Sequence, residues 1–266
     1  MEVATANTFG GATFLTQTAL SPLSFNVTGL TAGTDYFYRI IVVNASGSSA
    51  LSNIINLKTL PANPVAIAPT AITTTGFTAN WNVVSGTGVT YTVELSTDNF
   101  TTIAQTQASL ATNSFVFTSL VGNTKYSYRV RATNGITTSA NSNVINVLTL
   151  PAVVTANNAS SIAVSSFTAN WVAFVGDNAS ATYTLQVATD AGFATIISNQ
   201  TGLTTLSANL AGLTQNTFYY YRLLVVNTTG SSIVSNTITV QTNTVPTVAI
   251  APTNIIDVSL TANWNV

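Results

Sequence analysis

The chain contains no histidine and no cysteine. These two absences remove whole reaction classes. Neither a Ser-His-Asp nor a Cys-His nucleophile system can be assembled. Zinc fingers, histidine-ligated haem and cysteine-ligated iron–sulfur clusters are excluded on the same ground. No disulfide can form, so a secreted life would depend on core packing alone. Charge is also scarce. Lys and Arg number 6 and Asp and Glu number 7 in 266 residues, or 5% charged, against about 25% in an ordinary soluble domain. A net charge of −1 leaves no basic patch to neutralise phosphates, which argues against a nucleic-acid partner. Helix surfaces need Glu and Lys, so the same deficit argues against a helical cytosolic protein. The carboxylates open to a metal are Glu2, Asp35, Glu94, Asp98, Asp177, Asp190 and Asp257, and they are thinly spread. No cofactor is expected.

Long apolar runs are missing as well. Pieces such as Ile40-Ile41-Val42-Val43 fall far below the roughly 18 residues of a membrane span, so no membrane insertion is expected. Met1-Glu2-Val3 has neither the basic nor the apolar region of a signal peptide. The stretch reads as soluble, a mature or internal piece of something longer. What is present in quantity is apolar material, 46% of residues. That is enough for real cores, and it excludes disorder, which pairs low hydrophobicity with high net charge.

The sequence repeats itself. Phe77-Thr78-Ala79-Asn80-Trp81 recurs as Phe167-Thr168-Ala169-Asn170-Trp171 and as Leu260-Thr261-Ala262-Asn263-Trp264, with spacings of 90 and 93 residues. A second landmark, Leu30-x-x-x-Thr34-x-Tyr36-x-Tyr38-Arg39, returns as Leu120-x-x-x-Thr124-x-Tyr126-x-Tyr128-Arg129. It returns again as Leu213-x-x-x-Thr217-x-Tyr219-x-Tyr221-Arg222, with the same two spacings. Two independent landmarks with equal spacings establish a repeat. Within it, Phe77, Ala79 and Trp81 alternate with Thr78 and Asn80, and Tyr91, Val93 and Leu95 with Thr92 and Glu94. Phe115 and Phe117 alternate with Ser114 and Val116. This period of two in β-branched and aromatic residues predicts half-buried strands. Turn signals such as Ser85-Gly86-Thr87-Gly88 and Asn134-Gly135 separate them. The expected fold is all-β: tandem seven-stranded antiparallel sandwiches in a linear array.

These residues resemble fibronectin type III modules. The carrying features are a Trp on the second strand, the Leu-x-x-x-Thr-x-Tyr corner, and the Tyr-Arg-apolar run ending at Asn44, Asn134 and Asn227. Ser52-Asn53, Ser142-Asn143 and Ser235-Asn236 then open the terminal strand. The family's usual corner proline is replaced by Ala32, Gly122 and Gln215. The resemblance implies a corner in which the Tyr hydroxyl bonds back to the chain and pins the turn. The expected core is Trp81, Trp171, Trp264, Tyr36, Tyr126, Tyr219, Leu30, Leu120 and Leu213.

The repeat is out of phase with the chain. Linkers at Leu60-Pro61, Leu150-Pro151 and Val245-Pro246 make 61–150 and 151–245 complete modules. Residues 1–60 lack the first two strands and the Trp, Met1-Glu2-Val3 matching Leu185-Gln186-Val187. Residues 246–266 stop just after the Trp strand, Val266 matching Val83. Together the fragments hold every strand of a module, and only the equivalent of Val84–Thr92 is missing. Alone, 1–60 would expose two inward faces. Each large side chain buried is worth about 1.5–3 kcal/mol, and several such losses approach the roughly 5–15 kcal/mol of a whole module. Neither end is therefore expected to fold by itself. Three readings stand side by side: a window cut from a longer tandem array, a subunit whose last two strands complete the next subunit, and a truncated piece with disordered ends. For complementation the expected residues are Ile250, Leu260, Ala262 and Trp264 on the donor and Val3 and Tyr38, with Tyr36, on the acceptor.

Other residues invite chemistry and have plainer explanations. Arg39, Arg129 and Arg222 could form a binding ladder; the plainer reading puts them on the outward face with their stems over apolar neighbours. Asp98 and Asp190 occupy equivalent turns, and one carboxylate per turn is too few for a hard-cation cage. The Trp and Tyr residues point inward by phase, which disfavours sugar stacking. Asn-x-Ser/Thr sequons occur at Asn26, Asn44, Asn99, Asn158, Asn178, Asn199 and Asn227. No Arg-Gly-Asp is present. The composition resembles that of bacterial surface or secreted repeat proteins. The resulting expectation is a non-catalytic structural component of an extracellular fibre or cell-surface filament whose partner is itself. The alternative is a set of spacer or adhesion modules in a larger secreted enzyme or adhesin, with a glycan or surface ligand left open.

Overall fold

The computed structural model describes residues 1–10, 13–20, 23–176 and 180–265; Asp177, the sequon residue Asn178 and Val266 lie outside them. The chain divides into two compact units. One holds Met1–Ile72, Gly76–Ser119 and Lys125–Val147; the other holds Thr73–Thr75, Leu120–Thr124 and Leu148–Val266. Among the described residues there is no helix.

The first unit begins with β1 (Glu2–Ala4), β2 (Leu15–Thr16), β3 (Asp35–Arg39), β4 (Val43–Asn44), β5 (Gly47–Ser48) and β6 (Ile55–Lys58). They make one four-stranded sheet, β2-β1-β3-β6, and a small β4–β5 hairpin. β3 ends at Arg39 because its ladder with β1 ends there, at Glu2↔Arg39. Then follow β7 (Ala66–Thr70), β8 (Phe77–Trp81), β9 (Thr90–Ser96), β10 (Gln105–Leu110), β11 (Ser114–Phe117), β12 (Lys125–Thr133) and β13 (Ile145–Leu148). Seven strands form two sheets, β11-β8-β7 and β10-β9-β12-β13. Phe77, Ala79 and Trp81 of β8 are buried and the residues between them are not. They meet the facing sheet through Phe77 on Tyr128, with ring centroids 5.9 Å apart, and Trp81 on Tyr91 at 5.6 Å.

The second unit repeats this design in β14 (Ala156–Ser160), β15 (Ser166–Trp171), β16 (Thr182–Ala188), β17 (Ile196–Leu203), β18 (Ser207–Ala211), β19 (Phe218–Val226) and β20 (Ile238–Gln241). The sheets are β14-β15-β18 and β17-β16-β19-β20. Phe167, Trp171, Leu185, Tyr219, Tyr221 and Leu223 belong to one continuous core. The unit closes with a lone hairpin, β21 (Val248–Ile256) and β22 (Ser259–Asn265).

Of the residues expected in cores, Trp81, Trp171, Tyr36, Tyr126, Tyr219 and Leu120 are buried, and Leu30 and Leu213 are half-buried. Trp264 differs. It is 65% exposed where Trp81 is 0% and Trp171 3%. The reason is architectural: β21–β22 is a two-stranded sheet, and among the described residues no second layer packs on it. Ile250, Leu260 and Ala262 are exposed with it.

Candidate functional site

The three copies of the first hairpin share one register. Ala66 pairs with Trp81 and Ile67 with Asn80; Ala156 pairs with Trp171 and Asn157 with Asn170; Ala249 pairs with Trp264 and Ile250 with Asn263. An irregularity follows in each. The Asn side chain sets it, Nδ2 donating to a carbonyl and a hydroxyl of the opposite strand. Asn80 reaches Ala68 O and Thr70 Oγ1, Asn170 reaches Asn158 O and Ser160 Oγ, and Asn263 reaches Ala251 O and Thr253 Oγ1. The exposed hairpin thus already has the shape it has inside a finished sandwich.

Residues 1–60 present the reverse case. Val130 and Ala132 on β12, and Leu223 and Val225 on β19, are 0% exposed; their repeat equivalents Ile40 and Val42 are 47% and 67% exposed. Residues 24–27, equivalent to β11, are not a strand, because no counterpart of β8 pairs with them. An apolar groove remains, lined by Met1, Leu20, Leu23, Phe25, Ile40 and Val42. Val3 and Tyr36 do not line it. Both are buried, and Phe14 meets Tyr36 edge-on at 5.5 Å, occupying the space beside the ring. Tyr38 is half-buried.

Polar side chains also bind the sandwich together. The Tyr36 hydroxyl accepts from Thr31 N–H at 2.9 Å, and that of Tyr219 from Thr214 N–H at 2.9 Å, which is the pinned corner. The next Tyr reaches across the sandwich: Tyr128 donates to Ile67 O and Tyr221 to Asn157 O. Burial pushes both phenols above the ordinary tyrosine range. Asn143 grips Ala66 twice, its Oδ1 accepting from Ala66 N–H at 2.9 Å and its Nδ2 donating to Ala66 O at 3.0 Å. Asn236 grips Ala156 identically, at 2.8 and 2.9 Å. Two module junctions carry a further amide. Asn134 Nδ2 donates to Thr59 O at 3.1 Å, and Asn227 Nδ2 to Thr149 O at 2.9 Å. The Asn227 sequon therefore has its acceptor nitrogen engaged.

The other candidates are occupied locally. The Arg39, Arg129 and Arg222 guanidinium groups lie over Phe9, Phe100 and Phe193, 4.0–4.1 Å from the ring centroids. Arg39 pairs with Glu2 at 2.7 Å, Arg129 with Glu94 at 2.8 Å, and Arg222 bonds Gln186 at 2.9 Å. Asp98 closes its own turn. Bonds from Thr102 N–H, the Ser96 hydroxyl and the Thr102 hydroxyl hold its carboxyl down at about 2. Asp190 is lowered by the N–H groups of Ala194 and Thr195. No cluster of three acidic side chains suited to a metal occurs among the described residues.

Residues 62–147 match the family model described as Fibronectin type III domain. Chitinase A1 of Niallia circulans is 31% identical over 156 residues, 54% of this chain and 21% of that protein. The receptor-type tyrosine-protein phosphatase eta of Gallus gallus is 28% identical over 209 residues, 77% of this chain and 14% of that protein. The chain thus spans about a fifth or less of these curated relatives. Among solved structures, a two-domain fibronectin type III segment of chicken tenascin aligns with a TM-score of 0.46 at 16% identity, covering 68% of this chain and all of that one. The three-domain FN1-FN3 segment of chicken CNTN1 aligns at 0.32 and 19%, covering 81% and 80%.

Proposed function

We propose that this chain of tandem fibronectin type III repeats is a non-catalytic structural component of an extracellular fibre or surface filament. In it the hairpin at 248–265 completes the unfinished sandwich of residues 1–60 in the next stretch. One observation carries the reading: a single repeat occurs in two states of burial. Where the β7–β8 hairpin faces β12, Val130 and Ala132 are sealed; where no such hairpin faces them, Ile40 and Val42 stand open while an equivalent hairpin is exposed elsewhere. Burial of such faces is the main force in strand addition, and low charge removes most of the repulsion that keeps proteins apart.

Deleting 246–266 should leave both complete sandwiches folded and abolish end-to-end assembly. Supplying that segment as a free peptide should cap the acceptor and keep particles short. Electron microscopy of the two samples reads the result. Fibres unchanged by the deletion would leave lateral contacts as the source of assembly.

A second reading has its own support. Both curated relatives are far longer than the region they share with this chain, which suits spacer or adhesion modules within a larger secreted protein. A full-length reading frame with a flanking catalytic domain would favour it over the fibre.

A further inference from the structure

We infer that Asn53, Tyr38 and Asn44 form a polar recognition set for a second copy of this chain, receiving Ala249, Ile250 and Thr242 of that copy. The inference rests on the strand-complementation reading and adds the register to it. Each contact is read from an interface that the chain builds twice within itself. Asn53 stands where Asn143 and Asn236 stand, and their partners Ala66 and Ala156 stand where Ala249 does. Tyr38 matches Tyr128 and Tyr221, whose hydroxyls donate to Ile67 O and Asn157 O, the equivalents of Ile250 O. Asn44 matches Asn134 and Asn227, whose Nδ2 groups donate to the carbonyls of Thr59 and Thr149, the equivalents of Thr242.

The local geometry is already set on both sides. Asn44 Oδ1 accepts from Ser46 N–H at 2.8 Å, as Asn134 Oδ1 accepts from Thr137 N–H at 2.9 Å and Asn227 Oδ1 from Thr229 N–H at 2.9 Å. That turn leaves its Nδ2 free to donate. Thr242 is buried, and its hydroxyl is held by Thr214 O at 2.6 Å, as Thr149 is held by Val121 O at 2.8 Å and Thr59 by Thr31 O at 2.8 Å. On the donor, the register Ala249↔Trp264 equals Ala66↔Trp81. Ala249 therefore directs its N–H and C=O away from β22, toward any amide that approaches. Asn53 is exposed and its amide has no partner among the described residues; neither has the Tyr38 hydroxyl.

The three contacts fix what hydrophobic burial leaves loose. A strand docked one residue out of register turns its apolar set to the wrong face. The Asn53 clip reads both backbone groups of one outward-facing residue, so a slip of one residue loses both bonds.

The test uses the full chain, which assembles or not by sedimentation velocity over a concentration series. Asn53→Ala should raise the concentration needed for end-to-end assembly about tenfold, as expected for two hydrogen bonds. Ala249→Pro, which removes the N–H that Asn53 would receive and leaves the carbonyl, should raise it by a smaller factor. The two together should cost no more than Asn53→Ala alone. Neither should shift the unfolding midpoint of the unassembled chain, whereas Asn143→Ala, the same change inside a finished sandwich, should lower it. If deletion of 246–266 abolishes assembly but Asn53→Ala and Ala249→Pro leave it unchanged or add independently, the recognition set is wrong and complementation stands. If the unaltered chain stays monomeric throughout, both fall.

Discussion

Trp81 shows what one buried side chain is worth in this fold. Its ring is fully buried against Tyr91, so Trp81→Ala should cost about 3–5 kcal/mol through the cavity it leaves. Trp264→Ala, at a position equivalent in sequence and exposed in space, should change the stability of the unassembled chain by no more than about 0.5 kcal/mol. Chemical denaturation of the two variants compares them directly. The corner gives a smaller number. Tyr219→Phe strands the Thr214 N–H that donates to the hydroxyl at 2.9 Å, and should lose about 0.5–1.5 kcal/mol, or more if water cannot replace it. Asp98 predicts a pH dependence. Its folded pKa lies below the ordinary value of 3.8, at about 2, so its contribution is full above pH 3.8 and disappears as pH falls toward 2. Asp98→Asn should flatten the acid limb of the unfolding curve over that window, and an unchanged limb would show that the turn holds without the charge.

Strands and turns differ in how far the sequence announces them. β8 and β15 could be read from alternation alone, because each has one buried face and its aromatic residues fall on it. The segment at 24–27 could not, since whether it becomes a strand depends on a partner elsewhere in space. The Asn clips were visible only as Ser-Asn landmarks. Their role arises from residues 77 and 80 positions away, and local propensity says nothing about such a pairing. The placing of Phe14 against Tyr36 could not be read for a related reason: an apolar loop residue covers the nearest hydrophobic face when its usual cover is missing. Turn chemistry was legible as glycine but not as necessity. At Gly176 φ is +133°, and a Cβ would fall 2.5 Å from Gly122 O and 3.0 Å from the Asn123 side chain. Gly176→Ala should therefore open the packing of 122–123 against this loop. Hydrogen exchange at Asn123 N–H, which bonds Leu150 O at 3.0 Å, should speed up in the variant.

At the scale of the whole molecule, the legible part was the periodicity: one repeat, displaced relative to the chain, with two sandwiches and two remainders. The fold class followed from it. What stayed hidden was the energetic asymmetry of the remainders, because exposure is a property of what lies opposite. The clip between Asn143 and Ala66 has one more consequence, in mechanics. Tension along such a chain enters each sandwich through its first strand and leaves through its last. Ala66 sits on the entering strand, and Asn143 lies just ahead of β13, the leaving one. The amide ties the two directly, so a pull need not travel through the core while the clip holds. The clip thus shares the load with the β7–β8 ladder and with the Leu150 N–H to Thr73 O bond, and its two bonds can re-form once the load is released.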